Sequence, residues 1–494
     1  MYYVSTRDAS LRYTAAQAIV QGLSREGGLF LPSEIPQLSR EDLTELTRCS
    51  YPERAAHIMG LYLDDFSQEE LLGFAEKAYG PAKFDTPAAA PVVKTEDGAY
   101  VMELWHGPTC AFKDMALQML PYLLTASLRK TGEQKTVCIL VATSGDTGKA
   151  ALEGFRDVEH TKILVFYPDG GVSDIQKLQM VTQEGGNVGV CAVRGNFDDA
   201  QTGVKTLFSD VSLREELAAR GYFLSSANSI NWGRVLPQIV YYVSAYCDLV
   251  TAEQITMGEK VDVCVPTGNF GNILAAYYAR CMGVPIRRLV CASNANNVLT
   301  DFLTTGTYDR NRPFYQTASP SMDILISSNL ERLLYLLSGS DEAVRGYMAQ
   351  LAETGRYTVS EEIKNAIQSV FACGFCDDAG TEEMIGEEYK RSGYLLDTHT
   401  AVAYRVAEQF RRADGSGTPM IVASTASPFK FCASVLHALG CEALREGTAI
   451  IGQLAEASGR PAPAPLAGLA GKQVRFGEVV DKGAMRAVVT EFLQ

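Results

Sequence analysis

A turn rich in glycine and asparagine carries the clearest binding chemistry in this sequence. It reads Gly268-Asn269-Phe270-Gly271-Asn272, follows a predicted strand over 261–265 and opens a predicted helix over 273–281. The N-terminus of a helix presents unpaired N–H groups and the positive end of the helix dipole, which together suit an anion. Glycine lets the backbone approach that anion closely, and asparagine can donate from its side chain. The turn therefore predicts a phosphate site, with a plain tight turn as the alternative.

A nucleotide site is the competing interpretation of this turn. A dinucleotide fingerprint needs G-x-G-x-x-G and an acidic residue about 20 positions later, at the end of the next strand. The glycine spacing here differs, and the next predicted strand ends in Ser293-Asn294. No G-x-x-x-x-G-K-[ST] motif occurs in the chain. The pattern favours a phosphate that does not belong to a nucleotide, and it disfavours a nucleotide-dependent oxidoreductase.

Two further polar segments could bind anions. The segment 143–148 is a second strand-to-helix turn, Thr-Ser-Gly-Asp-Thr-Gly, whose hydroxyl and N–H groups could hold a carboxylate. Such residues also cap helices without any other function. The segment 228–234 combines amide, hydroxyl and guanidinium donors and ends in Arg234, whose planar fork suits phosphate or carboxylate. A polar loop around one packed tryptophan is the alternative for this second segment.

Lys113 lies between Phe112 and Asp114 and precedes a long apolar stretch. A lysine in such a context is usually a surface residue that extends its ammonium into water. If the side chain is desolvated, its pKa falls and the amine becomes nucleophilic. Its local sequence leaves both interpretations open. His399 follows Asp397-Thr398 at the start of a predicted helix, where capping is the default role, and the dispersed histidines predict no metal site.

Composition narrows the function classes. The 494 residues include 58 acidic and 44 basic side chains, a net charge of −14. That charge disfavours nucleic acid and anionic membranes as partners, and it requires local donors for any phosphorylated substrate. The N-terminus lacks a signal-peptide pattern, and no apolar run reaches the roughly 18 residues of a membrane span. Twelve scattered cysteines are typical of a reduced, cytoplasmic protein.

The elements that must position these residues alternate along most of the chain. Residues 1 to about 86 look helical and amphipathic, and a Pro/Ala-rich stretch over 87–91 predicts a boundary. Beyond it, apolar strands alternate with helix-length segments, which indicates parallel strands covered on both faces and therefore an α/β fold. The predicted strands cover 137–143, 163–167, 188–193, 261–265, 289–293 and 420–424.

Seven segments, taken together and in order, resemble the threonine synthase family in its longer bacterial and fungal class. The resemblance covers nearly the whole chain and rests on residues 27–32, 106–114, 143–148, 228–234, 266–272, 319–324 and 424–428. That family belongs to the tryptophan-synthase-β-like, or fold type II, pyridoxal-phosphate enzymes. The resemblance implies two open parallel-sheet α/β domains plus a helical N-terminal domain.

The resemblance also implies a role for each matching residue. Lys113 matches the lysine that holds pyridoxal phosphate as a Schiff base and shuttles protons. Thr425 matches the hydroxyl facing the pyridine nitrogen, and Asp146 matches a residue near the phenolic oxygen. The cofactor phosphate is assigned to Gly268, Asn269, Phe270, Gly271 and Asn272. The substrate carboxylate is assigned to Thr143, Ser144 and Gly145, and the substrate phosphate to Thr147, Asn228, Ser229 and Arg234.

The implied reaction converts O-phospho-L-homoserine and water to L-threonine and phosphate in a cytoplasmic monomer or homodimer. We expect a helical N-terminal domain (1–95), a large cofactor-binding domain (96–130 and 235–440), a small mobile domain (131–234) and a C-terminal segment (441–494) on the large domain. Ser427 departs from the family, which often has histidine there. A phospho-lyase that yields 2-oxobutyrate and ammonia, and a non-catalytic paralogue that acts as a binding protein, are the alternatives.

Overall fold

Sixteen strands and twenty-two α-helices organise the computed structural model, which describes residues 1–170 and 172–494. The strands are β1 (Tyr3–Ser5), β2 (Asp8–Tyr13), β3 (Phe30–Pro32), β4 (Val92–Lys94), β5 (Tyr100–Glu103), β6 (Thr136–Ala142), β7 (Thr161–Pro168), β8 (Val188–Val193), β9 (Tyr222–Ser225), β10 (Val261–Pro266), β11 (Ile286–Ser293), β12 (Thr307–Asp309), β13 (Arg356–Thr358), β14 (Phe371–Phe375), β15 (Met420–Ser424) and β16 (Val479–Val480). The helices are α1 (Ala15–Gln21), α2 (Arg40–Leu46), α3 (Tyr51–Gly60), α4 (Gln68–Tyr79), α5 (Lys113–Leu117), α6 (Leu120–Thr131), α7 (Asp146–Phe155), α8 (Asp174–Val181), α9 (Phe197–Ser209), α10 (Val211–Ala219), α11 (Trp232–Thr251), α12 (Gly271–Cys281), α13 (Val298–Thr305), α14 (Leu330–Ser338), α15 (Asp341–Thr354), α16 (Glu361–Val370), α17 (Asp378–Ser392), α18 (Thr398–Asp414), α19 (Cys432–Ala438), α20 (Ala449–Ser458), α21 (Ala464–Ala467) and α22 (Met485–Phe492).

The larger sheet has the order β14-β11-β10-β15-β5-β4. Its strands pair in parallel, except that β4 runs antiparallel to β5 at the edge. Every residue of β10 and β15 is buried, because helices cover both faces of a parallel sheet. Helix α18 packs on β10, β11 and β15, while α12 contacts β10 and β11. The continuous apolar character of these strands therefore follows from burial on two sides.

The smaller sheet has the order β16-β8-β7-β6-β9, and all its pairs are parallel. Helices α7 and α9 pack on its strands. Two parallel sheets with flanking helices confirm the predicted α/β class. Strands β6 to β9 lie inside the predicted small domain of 131–234, whose mobility stays a prediction.

The N-terminal region combines helices with a small sheet that the sequence analysis did not predict. Strands β2, β1 and β3 form an antiparallel sheet. Helices α2, α3 and α4 each begin after a serine whose hydroxyl accepts from the third residue of the helix, and that third residue's carboxylate accepts from the serine N–H. These capping boxes satisfy N–H groups that a helix start leaves unpaired. The expected helices are thus present, accompanied by strands of only three to six residues.

The C-terminal segment divides between the two sheets, whereas we expected it to pack on the large domain. Helices α20 and α21 join the apolar cluster beside α18 and β15. The following residues cross over, since β16 pairs with β8 and α22 packs against the smaller sheet through Met485 and Val489. A two-residue edge strand carries too little periodicity to be found from sequence. No helix among the described residues has both the length and the apolar character of a bilayer span.

Candidate active site

A cavity of about 1520 Å³ lies between the two parallel sheets. Its wall includes residues at or just after the carboxyl ends of β6, β9, β10 and β15. Open parallel sheets bind ligands at this edge, because the loops and helix N-termini that follow the strands converge there. Most predicted site residues line this cavity, and they come from both sheets. The members are Lys113, Thr143, Ser144, Thr147, Asn228, Ser229, Arg234, Gly268, Asn269, Phe270, Gly271, Asn272 and Thr425.

Lys113 begins α5 and is only 7% exposed, so it is not the surface lysine that its local sequence allowed. Its Nζ lies 3.1 Å from the Ser321 hydroxyl oxygen and 3.4 Å from Asp146 Oδ2. Desolvation lowers the pKa of the Lys113 amine, although the Asp146 carboxylate acts in the opposite direction. A buried amine with a lowered pKa is more often neutral, and the neutral form is the nucleophile.

The segment 268–272, named here the glycine turn, connects β10 to α12. Phe270 has a left-handed backbone with φ of 63° and provides no side-chain cap, so the first N–H groups of α12 have no capping partner. Gly268 is required by a close approach, because a Cβ there would lie 2.7 Å from the carbonyl oxygen of Ser321. The turn is therefore a compact cradle whose N–H donors have no side-chain cap.

Asn272 supplies a direct test of whether the glycine turn suits an anionic group. Its Oδ1 accepts hydrogen bonds from the hydroxyls of Tyr241 (2.6 Å) and Tyr242 (2.5 Å), which fixes the orientation of the amide. Its Nδ2 is buried and has no hydrogen-bond partner among the described residues. A buried donor without an acceptor is costly unless a ligand satisfies it. The residues present therefore fit the phosphate of a bound cofactor.

Arg234 is a buried cation at the start of α11, 3% exposed. Its Nη1 donates to the carbonyl oxygen of Ala227 at 2.5 Å, but Nε has no partner and no carboxylate pairs with this guanidinium among the described residues. Desolvation lowers the pKa of Arg234 to about 10. Removing the guanidinium charge from water costs free energy. A bound anion, distinct from the one at the glycine turn, would offset that cost. Ser229 lies beside the glycine turn, since a Cβ on Gly271 would be 3.7 Å from the Ser229 Cβ.

The segment 143–148, named here the threonine turn, satisfies its own donors. Thr143 Oγ1 accepts from the backbone N–H groups of Gly145 and Gly148, both at 2.9 Å, and so holds the start of α7. Gly145 has φ of 131°, and a Cβ there would lie 2.5 Å from the Gln176 side chain. The structure thus places Gly145 and Asp146 behind the cavity wall, while Ser144 and Thr147 remain on it.

Asp146 lies between two buried lysines. Its Oδ1 is 2.7 Å from Lys430 Nζ and also accepts from Gln176 Nε2 at 2.8 Å. Its Oδ2 faces Lys113 and the Ser321 hydroxyl, each at 3.4 Å. Burial favours the protonated carboxyl, but Lys430 and Lys113 outweigh burial and hold the pKa of Asp146 well below its usual range. The carboxylate is therefore ionised at neutral pH.

Two residues of this site, Lys430 and Ser321, were assigned no role from sequence, and a third, His399, was assigned only helix capping. Lys430 is fully buried, and its apolar context, Phe429-Lys430-Phe431, is the signal that could have found it. Ser321 belonged to a matching segment and contacts the Lys113 amine. His399 is buried, accepts from the Ser321 N–H at Nε2 (3.1 Å) and places Nδ1 3.1 Å from Asp397 Oδ1. Helix capping, which we had assigned to His399, is performed by Asp397.

Thr425 and Ser427 follow β15. They lie against residues 109–113, named here the lysine segment. The Thr425 carbonyl accepts from the Phe112 N–H at 2.8 Å, and its side chain is available on the cavity wall. Ser427 is fully buried, donates its N–H to the Cys110 carbonyl (3.1 Å) and accepts from the Phe429 N–H. Ser427 therefore caps the short turn Pro428–Lys430 that carries Lys430 into the site.

Comparison with known proteins assigns this arrangement to a family. Three family profiles match consecutive parts of the chain: "Threonine synthase N terminus" over residues 2–79, "Pyridoxal-phosphate dependent enzyme" over 81–424 and "Threonine synthase, C-terminal" over 400–489. The PLP-bound threonine synthase from Brucella melitensis is 37% identical, with a TM-score of 0.88 and full coverage of both chains. The threonine synthase from yeast is 32% identical, with a TM-score of 0.89 over 100% of this chain and 98% of the other.

Curated relatives show the same family at higher identity and lower coverage. Threonine synthase-like 1 from Macaca fascicularis is 42% identical over 442 residues, which cover 87% of this chain and 58% of that protein. The chain thus spans less than two thirds of the length of that relative. Threonine synthase from Pseudomonas aeruginosa is 38% identical over 87% of this chain and 89% of its own length.

Proposed function

Because the chain belongs to the threonine synthase family of pyridoxal-phosphate-dependent enzymes, we propose that it converts O-phospho-L-homoserine and water to L-threonine and phosphate. One observation carries the proposal: a buried amine, Lys113, shares one cavity with a glycine turn and with a buried arginine. Among the described residues, the turn has an unpaired donor and the arginine has no carboxylate partner. A cofactor phosphate and a substrate phosphate would occupy these two anion sites. Local donors of this kind are what a protein of net charge −14 needs to bind such a substrate.

The residues divide between cofactor and substrate. Pyridoxal phosphate, when bound, supplies an electron sink that makes the α-proton of an amino acid acidic. The glycine turn would hold the cofactor phosphate, Thr425 would face the pyridine nitrogen and Asp146 would lie near the phenolic oxygen. Lys113 would bind the cofactor and then move protons at its Nζ, a role that its burial and lowered pKa support.

The substrate would lie between the threonine turn and Arg234. Thr143, Ser144 and Gly145 would receive the carboxylate, and Ser144 is the member whose side chain has no capping role and lies on the cavity wall. Thr147, Asn228, Ser229 and Arg234 would receive the phosphate. The charge of Arg234 suits a dianion that must leave from the γ-carbon, because a guanidinium stabilises the developing negative charge.

Exclusion of bulk water until phosphate leaves would require closure of the small domain over 131–234. Support comes from the placement of the donors, since the threonine turn and Arg234 lie at its two ends and both face the same cavity. Structures with and without O-phospho-L-homoserine that superimpose without relative rotation of this domain would contradict the closure.

Product analysis tests the reaction. Purified protein with pyridoxal phosphate is incubated with O-phospho-L-homoserine, and phosphate, threonine, 2-oxobutyrate and ammonia are measured together. We expect phosphate and threonine in equal amounts. Equal amounts of phosphate and 2-oxobutyrate would instead establish the phospho-lyase alternative, which the relatives named threonine synthase-like 1 make worth testing. Absence of any phosphate release would indicate a non-catalytic paralogue.

The remaining properties complete the proposal. The substrate is a small molecule, and nucleic acid and membranes are not expected partners. We place the enzyme in the cytoplasm as a monomer or homodimer, and its twelve cysteines, all present as free thiols, support a reducing compartment. Fractionation and light scattering would measure both properties directly.

A further inference from the structure

A chain of charges links Lys430 to Lys113 through one carboxylate. The two oxygens of Asp146 have different partners: Oδ1 contacts Lys430 Nζ at 2.7 Å and Gln176 Nε2 at 2.8 Å, whereas Oδ2 faces Lys113 Nζ and the Ser321 hydroxyl at 3.4 Å. The contact to Lys430 is the shorter of the two lysine contacts. Lys430 therefore holds one side of the carboxylate, which turns the other side toward the reacting amine.

Lys430 is itself anchored from two directions. Its Nζ donates to the carbonyl oxygen of Thr109 at 2.9 Å, in the segment that leads to Lys113. The neighbouring Ser427 N–H donates to the Cys110 carbonyl, which fixes the backbone of the same turn. The side chain of Lys430 is fully buried, so water does not compete for its ammonium. The ammonium thus joins the start of α7 to the lysine segment.

The charge balance explains why the second lysine matters. A buried carboxylate requires a counter-ion, because an uncompensated charge in a low-dielectric interior is strongly unfavourable. With Lys430 present, Asp146 already has a partner, and Lys113 can lose its proton without leaving a bare carboxylate. Without Lys430, the nearest remaining cation is the ammonium of Lys113.

We propose that Lys430 is a positioning residue that compensates and orients Asp146, so that the Lys113 amine stays free to react with the cofactor. The inference rests on the proposed function only in taking Lys113 as the amine that binds pyridoxal phosphate. None of the motifs in the sequence pointed to Lys430 for this role.

All charged groups that face the Lys113 amine enter the expected pH dependence. They are Asp146 from α7, Lys430 from the turn Pro428–Lys430 and Arg234 from α11. His399 from α18 acts at one remove, through the Ser321 N–H. Asp146 favours the ammonium of Lys113, and the two other cations disfavour it. Removal of Lys430 should therefore raise the pH at which Lys113 becomes neutral.

The test measures capture of pyridoxal phosphate by the full-length protein after removal of cofactor. The rate of the visible absorbance change is followed as a function of pH for the native protein, Lys430→Met and Lys430→Arg. We expect the pH at which the capture rate is half-maximal, called here the midpoint, to be about one unit higher for Lys430→Met than for the native protein. This shift is equivalent to about tenfold slower capture at neutral pH. Lys430→Arg retains the charge and should restore most of the native midpoint.

Lys149→Met is the matched control, because Lys149 is also buried, lies on α7 and pairs with a carboxylate, Glu153, at 3.2 Å. It should leave the midpoint unchanged. If Lys430→Met does not fold, as judged by circular dichroism, the double variant Lys430→Met with Asp146→Asn removes both charges and should lower the midpoint below the native value. An unchanged midpoint in Lys430→Met would overturn the proposal. If Lys430→Met does not fold, an unchanged midpoint in the double variant would overturn it. The readout uses no O-phospho-L-homoserine, so it is independent of which product the enzyme makes.

Discussion

The glycine turn and the threonine turn have the same topology, but they differ in whether the N–H donors at the helix start have acceptors. Each connects the end of a parallel strand to the start of a helix, β10 to α12 and β6 to α7. In the threonine turn, Thr143 accepts two backbone N–H bonds, so the helix start is satisfied from within. In the glycine turn, Phe270 provides no cap and Asn272 Nδ2 has no partner among the described residues. The difference supports the proposal that the glycine turn holds a resident anion, whereas the start of α7 is capped without any ligand.

Lys113 lies where the two turns meet. It contacts Asp146 of the threonine turn directly, and it contacts Ser321, whose carbonyl lies against Gly268 of the glycine turn. Substitution of Lys113, and then of residues in each turn, can therefore test how the two turns differ.

Substitution of the amine should have the largest effect. Lys113→Ala removes the nucleophile and the group that moves protons, so we expect threonine formation to fall by about 10³-fold or more. The far-UV circular dichroism should match that of the native protein. Lys149→Ala, a buried lysine outside the cavity wall, serves as the control. Substantial activity in Lys113→Ala would remove the amine from the mechanism.

Loss of the carboxylate of the threonine turn should come next. Asp146→Asn leaves Lys430 buried without its anionic partner, which should lower the free energy of unfolding by about 3 kcal/mol at pH 7. Glu153→Gln, whose carboxylate is more exposed, should cost less.

The same variant has an expected pH dependence. The folded pKa of Asp146 lies well below its unfolded value of about 3.9. Its contribution to stability is therefore fully present above the unfolded pKa and is lost as the pH falls through the folded pKa. Urea titrations should show the difference between native protein and Asp146→Asn constant from pH 6 to 8 and shrinking below about pH 4. A difference that grows toward acid pH would contradict the ion pair.

An added methyl group should break the glycine turn specifically. In Gly268→Ala the new Cβ would lie 2.7 Å from the Ser321 carbonyl oxygen, so the cradle must shift. We expect the dissociation constant for pyridoxal phosphate to rise about 10- to 100-fold, or about 1.4–2.7 kcal/mol. Gly73→Ala in α4, where a Cβ meets no atom within 4 Å, is the matched control and should bind normally. Equal affinity in the two variants would show that the turn tolerates displacement.

The smallest effect should arise from the internal cap of the threonine turn. Thr143→Val removes the acceptor of two N–H bonds, and we expect the free energy of unfolding to fall by about 1–2 kcal/mol. Thr143→Ser keeps the hydroxyl and should recover most of that loss. Because the cap is complete without ligand, the loss should be the same with and without pyridoxal phosphate. A loss seen only with the cofactor would show that the cap forms only when pyridoxal phosphate is bound.

Much of the fold followed from local patterns. The strands β7, β8, β10 and β15 were predicted because each is a largely apolar run that contains valine or isoleucine, and the starts of α7 and α12 were predicted from their turn residues. The small N-terminal strands and β16 were missed: β1, β3 and β16 have only two or three residues, which carry no measurable period, and the six residues of β2 have no buried face. Their pairing depends on distant partners, such as β8 for β16.

The candidate site divides in the same way. The glycine turn was predicted to be a phosphate site from five consecutive residues, because the donors of a helix start are set by local backbone geometry. The family resemblance pointed to Lys113, whereas its local sequence favoured an ordinary surface lysine. Lys430 was not found: its place between two phenylalanines was a signal of burial, but that context does not reveal Asp146 as the partner of its ammonium.

The strand-to-helix turns, their donors and the alternation that builds two parallel sheets can be predicted from local sequence, because they depend on neighbours along the chain. The buried charge cluster of Lys113, Asp146 and Lys430 cannot, because it forms only when distant segments pack together. Asp146 is 33 positions from Lys113, and Ser321 is 208 positions away. The pKa of the amine depends on burial and on charges within a few ångströms. Such distances exist only after the two sheets have packed around one cavity.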